Sequence, residues 1–385
     1  YSCDRMEANG GFVRAMARDP VAGFSSENTS AMKPWGPWLV IAPFNFPLAL
    51  AGGPTGAALV TGNTVVLKPA TATPWSARLL ALALRDAGVP PGAFNLVTGS
   101  GAAVGEPLVR DPRVAGATFT GSYEVGMHLV RTFAQGRWPR PCIAEMGGKN
   151  ATIVSRHANL GEAVTGIARS AFGLTGQKCS ACSRVYVDHT RFADVVSALH
   201  QAATRVATGD PTVREHWMGP LIDAHAVARY EDAAAQVHAL GAAGAIVHGG
   251  ERLDHGDLAH GHFVAPTVAR APIDHPLWSQ ELFAPFVLVA PVDSVDEGIA
   301  RANASDYGLT AGFYGDPGET ERFFATIEAG VAYANRPQGA TTGAWPGHQP
   351  FGGWKGSGST GKSAGSLYYL TQYLREQSQT RVRRL

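Results

Sequence analysis

Cys179 stands in a segment whose residue types suit nucleophilic chemistry. Gly176 and Lys178 come directly before it, so a glycine turn and a cation precede the thiol. A neighbouring cation or the amides at a helix end lower the pKa of a thiol and make it a better nucleophile. The alternative for any single cysteine is a small buried apolar residue.

The spacing Cys179-x-x-Cys182 also permits a zinc site or a redox pair. Zinc needs about four ligands, and the remaining cysteines, Cys3 and Cys142, supply no second pair at that spacing. A redox motif of the thioredoxin type is typical of the start of a βαβ unit, which this segment is not. The spacing therefore favours neither chemistry.

Two further polar residues follow predicted strands. Glu145 ends a strand and precedes Gly147 and Gly148, so its carboxylate has the freedom to act as a general base in a cleft. A surface glutamate beside a turn is the alternative. Asn45 follows another strand end, where its amide could donate to a developing oxyanion or close an Asx-turn.

Two glycine-containing turns are candidates for phosphate binding. Gly99, Gly101 and Gly105 give G-x-G-x-x-x-G, one residue longer than the usual dinucleotide fingerprint, after a strand and before a helix. Amides at such a helix start could face a phosphate, or the segment is an ordinary turn. Ser122 begins another helix, where it could hold a phosphate or serve as the N-cap.

Four histidines crowd between positions 248 and 262: His248, His255, His260 and His262. The number of imidazoles suggests a metal cluster. The segment is polar, glycine-rich and turn-like, so we interpret it instead as a solvated hairpin tip.

Short apolar strands alternate with helical patterns from about residue 38 to 145. We predict strands at 38–43, 63–69, 93–99, 114–121 and 141–148, and helices at 49–60, 77–88, 103–109 and 124–135. This alternation predicts a parallel, doubly wound sheet.

A second α/β region extends from about residue 148 to 335. We predict helices at 158–173, 192–207 and 226–244, and strands at 183–189, 284–292 and 308–315. The 29 residues after Asn335 are glycine-rich and loop-like, and a long loop of this kind is often functional. The chain then ends in a strand-like or amphipathic tail.

The bulk composition narrows the class of protein. The 385 residues are 45% hydrophobic with a net charge of +1, which predicts two domains and gives no reason to expect a nucleic-acid or anionic-membrane partner. No apolar run reaches the ~18–20 residues of a membrane span. Four cysteines suit a cytoplasm-like compartment, and a mitochondrial-type matrix is equally compatible. The chain opens on Tyr1 rather than Met, so we expect a piece of a longer polypeptide whose N-terminal part is missing.

In order and combination, these motifs resemble the aldehyde dehydrogenase superfamily over nearly the whole chain. The matching segments are 43–47, 62–69, 119–122, 145–149, 176–179, 281–283 and 350–353. The resemblance implies an α/β fold with a Rossmann-type cofactor domain, an α/β catalytic domain and a small oligomerisation element. We assign residues 36–147 to the first, 148–347 to the second, and 12–35 with 360–385 to the third.

The resemblance also implies catalytic roles. Cys179 would attack the aldehyde carbon, and the thiohemiacetal oxyanion would be held by the Asn45 amide and the Cys179 backbone N–H. Transfer of hydride to the nicotinamide would leave a thioester, and Glu145 would activate the water that releases the acid. Lys68 is implied both in catalysis and in holding the cofactor ribose.

The longer glycine spacing is normal for this superfamily, and the cofactor it implies is NAD, with NADP left open. The implied contacts are Ile41, Ala42, Pro43, Phe44, Lys68, Ala70, Gly101, Gly105, Phe119, Thr120, Gly121, Ser122, Val125, Glu145, Met146, Gly147, Glu281 and Phe283.

Within the superfamily the sequence is most similar to the L-glutamate γ-semialdehyde (1-pyrroline-5-carboxylate) dehydrogenases of proline catabolism. That resemblance implies that Ser180 and the pair Gly343–Ala344 hold the substrate α-carboxylate. Phe46 and Phe351 would flank its aliphatic chain. Lys178 is included in the same substrate site.

Three departures from the family pattern affect these expectations. The family's N-terminal segment, with one glutamate that shapes the substrate site, is absent. Ala284 replaces a usual glycine. Thr71 stands where strictly NAD-dependent relatives often carry glutamate, which is why NADP stays open.

The same residues also permit other functions. They are a dehydrogenase for another semialdehyde or an aliphatic aldehyde, a coenzyme A-acylating relative, a non-catalytic descendant and a cysteine hydrolase. The presence of Glu145 disfavours the acylating relative. The intact Cys179, Glu145 and Asn45 disfavour the non-catalytic descendant, and the motifs provide no histidine for a hydrolase. We expect a homodimer or a higher homo-oligomer.

Overall fold

The structure, a computed structural model, describes residues 2–8, 10–16, 20–21, 24–336 and 349–384. It divides into two compact units. The first comprises Tyr1–Met146, Pro346–Pro350 and Ser359–Leu385, and the second comprises Gly147–Trp345 and Phe351–Gly358.

The helices and strands of the first unit alternate over most of its length. They are α1 Ser2–Ala8, β1 Val13–Ala15, β2 Pro20–Val21, β3 Phe24–Pro34, β4 Pro37–Ile41, α2 Ala49–Val60, β5 Thr64–Lys68, α3 Pro74–Asp86, β6 Phe94–Leu96, α4 Glu106–Arg110, β7 Gly116–Thr120, α5 Tyr123–Ala134, β8 Cys142–Glu145 and the C-terminal β18 Leu374–Arg384.

Five of these strands form a parallel sheet in the order β6-β5-β4-β7-β8. The central β4 carries Trp38, Leu39 and Val40 in succession, and all three are fully buried. A strand with apolar side chains on both faces suits the middle of a sheet that helices cover on both sides. The predicted doubly wound sheet is confirmed.

The order of the strands places a switch point in this sheet. From β4 the chain moves to β5 and β6 on one side, and later to β7 and β8 on the other. In open α/β sheets, ligands bind outside the carboxyl ends of the strands where this reversal occurs. The carboxyl ends of β4 and β7 are therefore the expected ligand crevice of the first unit.

The second unit contains a larger sheet. Its elements are β9 Asn150–Val154, α6 Leu160–Phe172, β10 Cys182–Asp188, α7 Phe192–Thr204, α8 Ala224–Ala239, β11 Ala245–His248, β12 Thr267–Arg270, β13 Phe286–Val292, α9 Val295–Asn303, β14 Tyr307–Gly308, β15 Thr310–Tyr314, α10 Pro317–Thr326, β16 Val331–Ala334 and β17 Trp354–Lys355. The sheet order is β11-β12-β13-β10-β9-β15-β16, and only β11 pairs antiparallel.

Side-chain caps begin several helices of the second unit. Asn159 accepts a hydrogen bond from the Glu162 backbone N–H at the start of α6. Asp316 and Glu319 form a reciprocal capping box at the start of α10. Such caps satisfy amides that have no partner within the helix.

The predicted oligomerisation segments contribute a small separate sheet to the first unit. Strand β18 pairs antiparallel with β3 along its whole length, from Leu374 opposite Pro34 to Arg384 opposite Phe24. Strands β1 and β2 also pair with β3. The strand-like tail predicted from the sequence is confirmed, whereas its role in assembly stays a prediction.

None of the helices in the described ranges combines the length and the apolar character that crossing a membrane requires.

Candidate active site

Cys179 lies half-buried on the turn that leads into β10. The preceding turn, Gly173–Gly176, is unusual because Leu174 and Thr175 have φ values of 54° and 57°, followed by Gly176 at 65°. Left-handed backbone is strained for residues with a Cβ and persists only where neighbouring structure enforces it. The chain therefore reaches the nucleophile through a held, strained turn.

Three hydrogen bonds to one neighbouring segment hold this turn. Thr175 Oγ1 donates to the Gly219 carbonyl at 3.0 Å. The Gln177 amide donates to the Pro220 carbonyl at 3.2 Å and accepts from the Ile222 N–H at 2.8 Å. Both polar ends of Gln177 are thus used, and this side chain fixes the turn from outside.

Asn150, the first residue of β9, holds the other side of the nucleophile turn. Its Nδ2 donates to the Cys179 carbonyl at 2.6 Å and to the Ala181 carbonyl at 2.9 Å. Its Oδ1 accepts from the Thr310 N–H at 3.0 Å. The side chain is 4% exposed, so these bonds are shielded from water and fix the Cys179 peptide against the sheet.

The predicted residues of the second unit gather at the amino edge of its sheet. Strands β9, β10 and β13 are parallel neighbours, and Gly147, Cys179 and Phe283 each lie just before one of them. Because parallel strands start at the same edge, these positions come together. This edge is opposite to the one where open α/β sheets usually bind ligands.

Glu281 rests against the glycine pair between β8 and β9. Its Oε1 accepts from the Gly148 N–H at 2.9 Å. A Cβ added to Gly147 would overlap the Glu281 carboxylate. The absence of a side chain at position 147 is therefore what lets the carboxylate approach the backbone.

Two buried lysines adjoin the residues just described, Lys178 next to Cys179 and Lys149 next to Asn150. Burial lowers the pKa of Lys178 to about 7, and the charge of Cys179 acts in the opposite direction. Burial and the nearby Arg184 lower the pKa of Lys149 to about 7, against the charges of Glu281 and Cys182. The Lys149 ammonium has no hydrogen-bond partner among the described residues.

Cys182 belongs to the core. It is 3% exposed, its sulfur lies 3.2 Å from Thr152 Oγ1, and its N–H donates to Ser170 Oγ at 3.0 Å. Burial raises the pKa of its thiol to about 11. This environment suits a packed, protonated thiol rather than a metal ligand or a redox partner.

Glu145 ends β8 in the first unit and is half-buried. Burial raises the pKa of its carboxyl to about 7. The strand is held at its edge by Ser359, whose N–H donates to the Ala144 carbonyl at 3.0 Å and whose hydroxyl accepts from the Ala144 N–H at 2.8 Å. A carboxyl that titrates near neutrality on a fixed strand suits a general base.

The carboxyl edge of the first sheet collects the other predicted residues of that unit. Ile41 ends β4 and residues 42–45 follow it; Lys68 ends β5 and Ala70 follows it. The segment 119–122 ends β7 and leads into α5. Lys68 is buried, its Nζ donates to the Pro69 carbonyl at 3.0 Å, and desolvation lowers its pKa. These positions coincide with the switch point of the sheet.

Both predicted phosphate turns begin helical segments. The Ser100 hydroxyl accepts from the Ala103 N–H at 3.1 Å, at the start of the helical turn Gly101–Gly105. Ser122 Oγ accepts from the Val125 N–H at 3.4 Å, so the N-cap interpretation of Ser122 is what the structure shows. Capping leaves the remaining first-turn amides available to an anion.

The predicted substrate residues are divided between the units. Phe46 is half-buried in the first unit. Ser180 is 3% exposed in the second unit, where its carbonyl accepts from Thr310 Oγ1 at 3.3 Å. Phe351 is half-buried in the same unit. Gly343 and Ala344 lie outside the described residues.

The four histidines lie between the end of β11 and the start of β12. His255 and His260 are exposed, whereas the His248 ring packs edge-on against His200 with centroids 5.4 Å apart. In the described part of the chain, His248, His255, His260 and His262 do not form a group close enough to share a metal ion.

Sequence reasoning missed three residues that fix these edges: Asn150, Gln177 and Ser359. Gln177 and Asn150 adjoin recognised motifs, and an amide beside a candidate nucleophile is the signal that could have drawn attention to them. Ser359 binds β8 from more than 200 positions away, so its role has no local signal.

Comparisons with known proteins agree with this geometry. The family model described as the aldehyde dehydrogenase family matches residues 2–378. A 1-pyrroline-5-carboxylate dehydrogenase of Geobacillus kaustophilus is 39% identical over 343 residues, which are 88% of this chain and 65% of the relative. The chain thus spans about two thirds of the length of such relatives.

Solved structures show the same fold. A 1-pyrroline-5-carboxylate dehydrogenase from Thermus with bound NAD superposes with a TM-score of 0.87 at 33% identity, covering 96% of this chain and 70% of that one. Proline utilization A from Bdellovibrio bacteriovorus gives a TM-score of 0.89 at 35% identity, covering 99% of this chain and 39% of that one.

Proposed function

Because this chain belongs to the aldehyde dehydrogenase family, we propose that it oxidises an aldehyde to the acid through a covalent bond to Cys179. The observation that carries the proposal is the way the thiol is held, half-buried on a turn fixed by Gln177 and Asn150. Fixing a nucleophile in one orientation removes much of the entropic cost of its attack.

In the first half-reaction, the Cys179 thiolate forms an S–C bond to the aldehyde carbon. The oxyanion of this thiohemiacetal accepts hydrogen bonds from the Asn45 amide and the Cys179 N–H. When bound, a nicotinamide dinucleotide would supply the acceptor for the hydride that leaves this carbon, and a thioester on Cys179 would result.

In the second half-reaction, Glu145 takes a proton from water. The hydroxide attacks the thioester carbon, the C–S bond breaks, and the acid leaves as the thiol is restored. A general base is most effective when its pKa is near the working pH, and burial places the pKa of Glu145 at about 7.

The first unit fits a dinucleotide at its switch point. A Cβ added to Gly101 would meet open space, whereas Gly105 is buried with Lys68 beside it. The backbone at the start of this helical turn is thus open to a phosphate, and Lys68 would bind the ribose. The implied contacts of β4, β5 and β7 surround the same edge. We assign NAD to this site, with NADP left open by Thr71.

The substrate we propose is L-glutamate γ-semialdehyde, oxidised to L-glutamate in proline catabolism. Support comes from the names of the relatives and from the motif residues Lys178, Ser180 and Phe351. Ser180 and Gly343–Ala344 would hold the α-carboxylate, with Phe46 and Phe351 along the aliphatic chain.

We also propose that the protein acts as a homodimer or higher homo-oligomer in the cytoplasm. The small sheet of β1, β2, β3 and β18 would provide the contact between copies. The four cysteines form no disulfide, which suits a reducing compartment.

The proposal is tested by comparing kcat/KM for glutamate γ-semialdehyde and for propanal, with NAD and NADP in parallel. A clear preference for the semialdehyde supports the substrate. Cys179→Ala should lower oxidation by about a thousandfold or more while cofactor binding stays near normal. The control Cys182→Ala keeps the nucleophile and should remain active. Unchanged turnover in Cys179→Ala would refute the mechanism.

A further inference from the structure

A buried line of polar groups crosses the first unit beneath its C-terminal segment. Trp38 Nε1 donates to Thr118 Oγ1 at 2.9 Å, and Thr118 Oγ1 lies 3.0 Å from the Tyr373 hydroxyl. The Tyr373 hydroxyl lies 3.0 Å from that of Tyr369. Trp38 and Tyr373 are fully buried and Thr118 is 5% exposed, so the first two bonds are protected from water. Tyr369, at the end of the line, is half-buried.

Other contacts fix the position of this line. The rings of Trp38 and Tyr373 have centroids 4.8 Å apart, and Tyr369 packs edge-on against Tyr373 at 5.5 Å. The Asn63 amide also donates to the Tyr373 carbonyl at 3.0 Å. The two phenol rings are therefore held by both side-chain and backbone contacts.

The line has a preferred direction. An indole N–H only donates, so Thr118 accepts at that end and has its own proton to give to Tyr373. Tyr373 then donates to Tyr369. Because each group donates to the next one, the Tyr369 hydroxyl keeps its own proton and can donate it to a further acceptor.

Strand pairing shows on which face of β8 the Glu145 side chain lies. In the pairing of β7 with β8, Thr118 is opposite Ile143 and Thr120 is opposite Glu145. Ile143 packs in one apolar cluster with Trp38 and Tyr373. Side chains two positions apart leave the same face of a strand, so Glu145 leaves β8 on the face that the tyrosines cover.

The electrostatics of the tyrosines agree with this placement. Burial is the largest cause that raises the pKa of each phenol, and the charge of Glu145 raises the pKa of Tyr369 and Tyr373 further. Cys142, the other titratable group of β8, packs in the cluster on the opposite face. The two phenols are thus close enough for the charge of Glu145 to act on them.

We propose that Tyr369 is a positioning residue for Glu145, whose carboxylate accepts a hydrogen bond from the Tyr369 hydroxyl, directly or through one water. The bond would favour the ionised carboxylate that water activation needs and would limit its rotamers. The inference rests on the proposed role of Glu145 as the base.

The test is the titration of the Glu145 carboxyl, followed by its infrared band in the whole protein. Glu145→Gln identifies the band by removing it. Tyr369→Phe keeps the ring but loses the donor. The proton affinity of the Glu145 carboxylate should then rise by about tenfold, as expected when a hydrogen bond to a charged group is lost. Tyr368→Phe is the matched control, because Tyr368 is 58% exposed, and it should leave the titration unchanged.

A second readout is turnover. In Tyr369→Phe the burst of reduced cofactor should persist, while kcat falls severalfold and the acid limb of kcat moves to higher pH. Tyr373→Phe removes the hydroxyl that donates to Tyr369, so the acid limb should move in the same direction by a smaller amount. Titration in Tyr369→Phe identical to that in Tyr368→Phe would overturn the inference while leaving the role of Glu145 intact. Full turnover in Glu145→Gln would instead refute the proposed function itself.

Discussion

The side-chain amide of Asn150 lies 2.6 Å from the carbonyl oxygen of Cys179, so the first residue of β9 binds the peptide of the candidate nucleophile directly. The same amide reaches the Ala181 carbonyl, and its oxygen receives the Thr310 N–H. One side chain therefore joins the nucleophile turn to two neighbouring strands, β9 and β15. The position of the Cys179 thiol is therefore fixed by the sheet as well as by its own loop.

Asn150→Asp tests this relationship. Aspartate keeps the shape and the acceptor for Thr310 but loses both donors, and it places oxygen against two carbonyls. We expect a loss of about 2–4 kcal/mol in the free energy of unfolding and a fall in kcat/KM on the order of tenfold or more. Denaturant unfolding measures the first effect and steady-state kinetics measure the second. Asn95→Asp, an exposed asparagine that also donates to a carbonyl, should change neither; equal effects in both variants would count against the clamp.

Glu145 should give the release step a pH dependence near neutrality. The base works only when ionised, and burial raises its pKa to about 7, so thioester hydrolysis should fall as the pH drops below about 7. Glu145→Gln should keep the burst of reduced cofactor, slow turnover by about a hundredfold or more, and lose the acid limb. Rapid-mixing measurements across pH 5–9 examine this. A Gln variant without a burst, or with the same acid limb, contradicts the assignment.

Gly176→Ala should damage the protein more than a left-handed backbone alone explains. Gly176 has φ of 65°, and an added Cβ would overlap the Ala284 carbonyl. Gly92 has φ of 84° but open space around it, so Gly92→Ala isolates the backbone cost, on the order of 1 kcal/mol. We expect Gly176→Ala to lose at least about 2 kcal/mol more, measured by unfolding. Similar losses in both variants would mean that the contact with residue 284 does not matter.

Thr71 should influence the choice between NAD and NADP. It is exposed, and its hydroxyl donates to the Gly99 carbonyl at 3.3 Å, close in sequence to Lys68. Thr71→Glu places a negative charge where it repels a 2′-phosphate, so the ratio of kcat/KM for NAD over NADP should rise about tenfold or more. Ala72→Glu adds the same charge one exposed position later and should alter the ratio less. If the two variants behave alike, position 71 does not contact the cofactor selectively.

The sequence predicted most of the framework. Alternating apolar strands and helices indicated a doubly wound sheet, and residues 49–60 and the strand around Val66 lie where periodicity placed them. Glycine and proline residues mark the turns, so the positions of the turns can be predicted from residues that are close in sequence. The order of motifs likewise brought Cys179, Glu145 and Asn45 into one hypothesis.

The contacts that hold those residues were not predictable from local pattern. Strand β9 was missed because its run after Lys149 is short, although it is buried throughout. The left-handed conformation at Leu174 and Thr175 contradicts local preference, since neither residue favours positive φ. Distant partners enforce both features, as Gly219 does for Thr175. Tertiary structure overrides propensity at these points.

The strained turn before Cys179 has a consequence for engineering. Glycine or asparagine at position 174, where Leu174 is exposed, would adopt this backbone at lower cost, so a screen for heat tolerance should select such variants. The same change would give the turn alternative conformations, so the Cys179 thiol would no longer be held in one orientation. We therefore expect the most heat-tolerant variants to have a lower kcat, which is a local case of the trade-off between stability and activity.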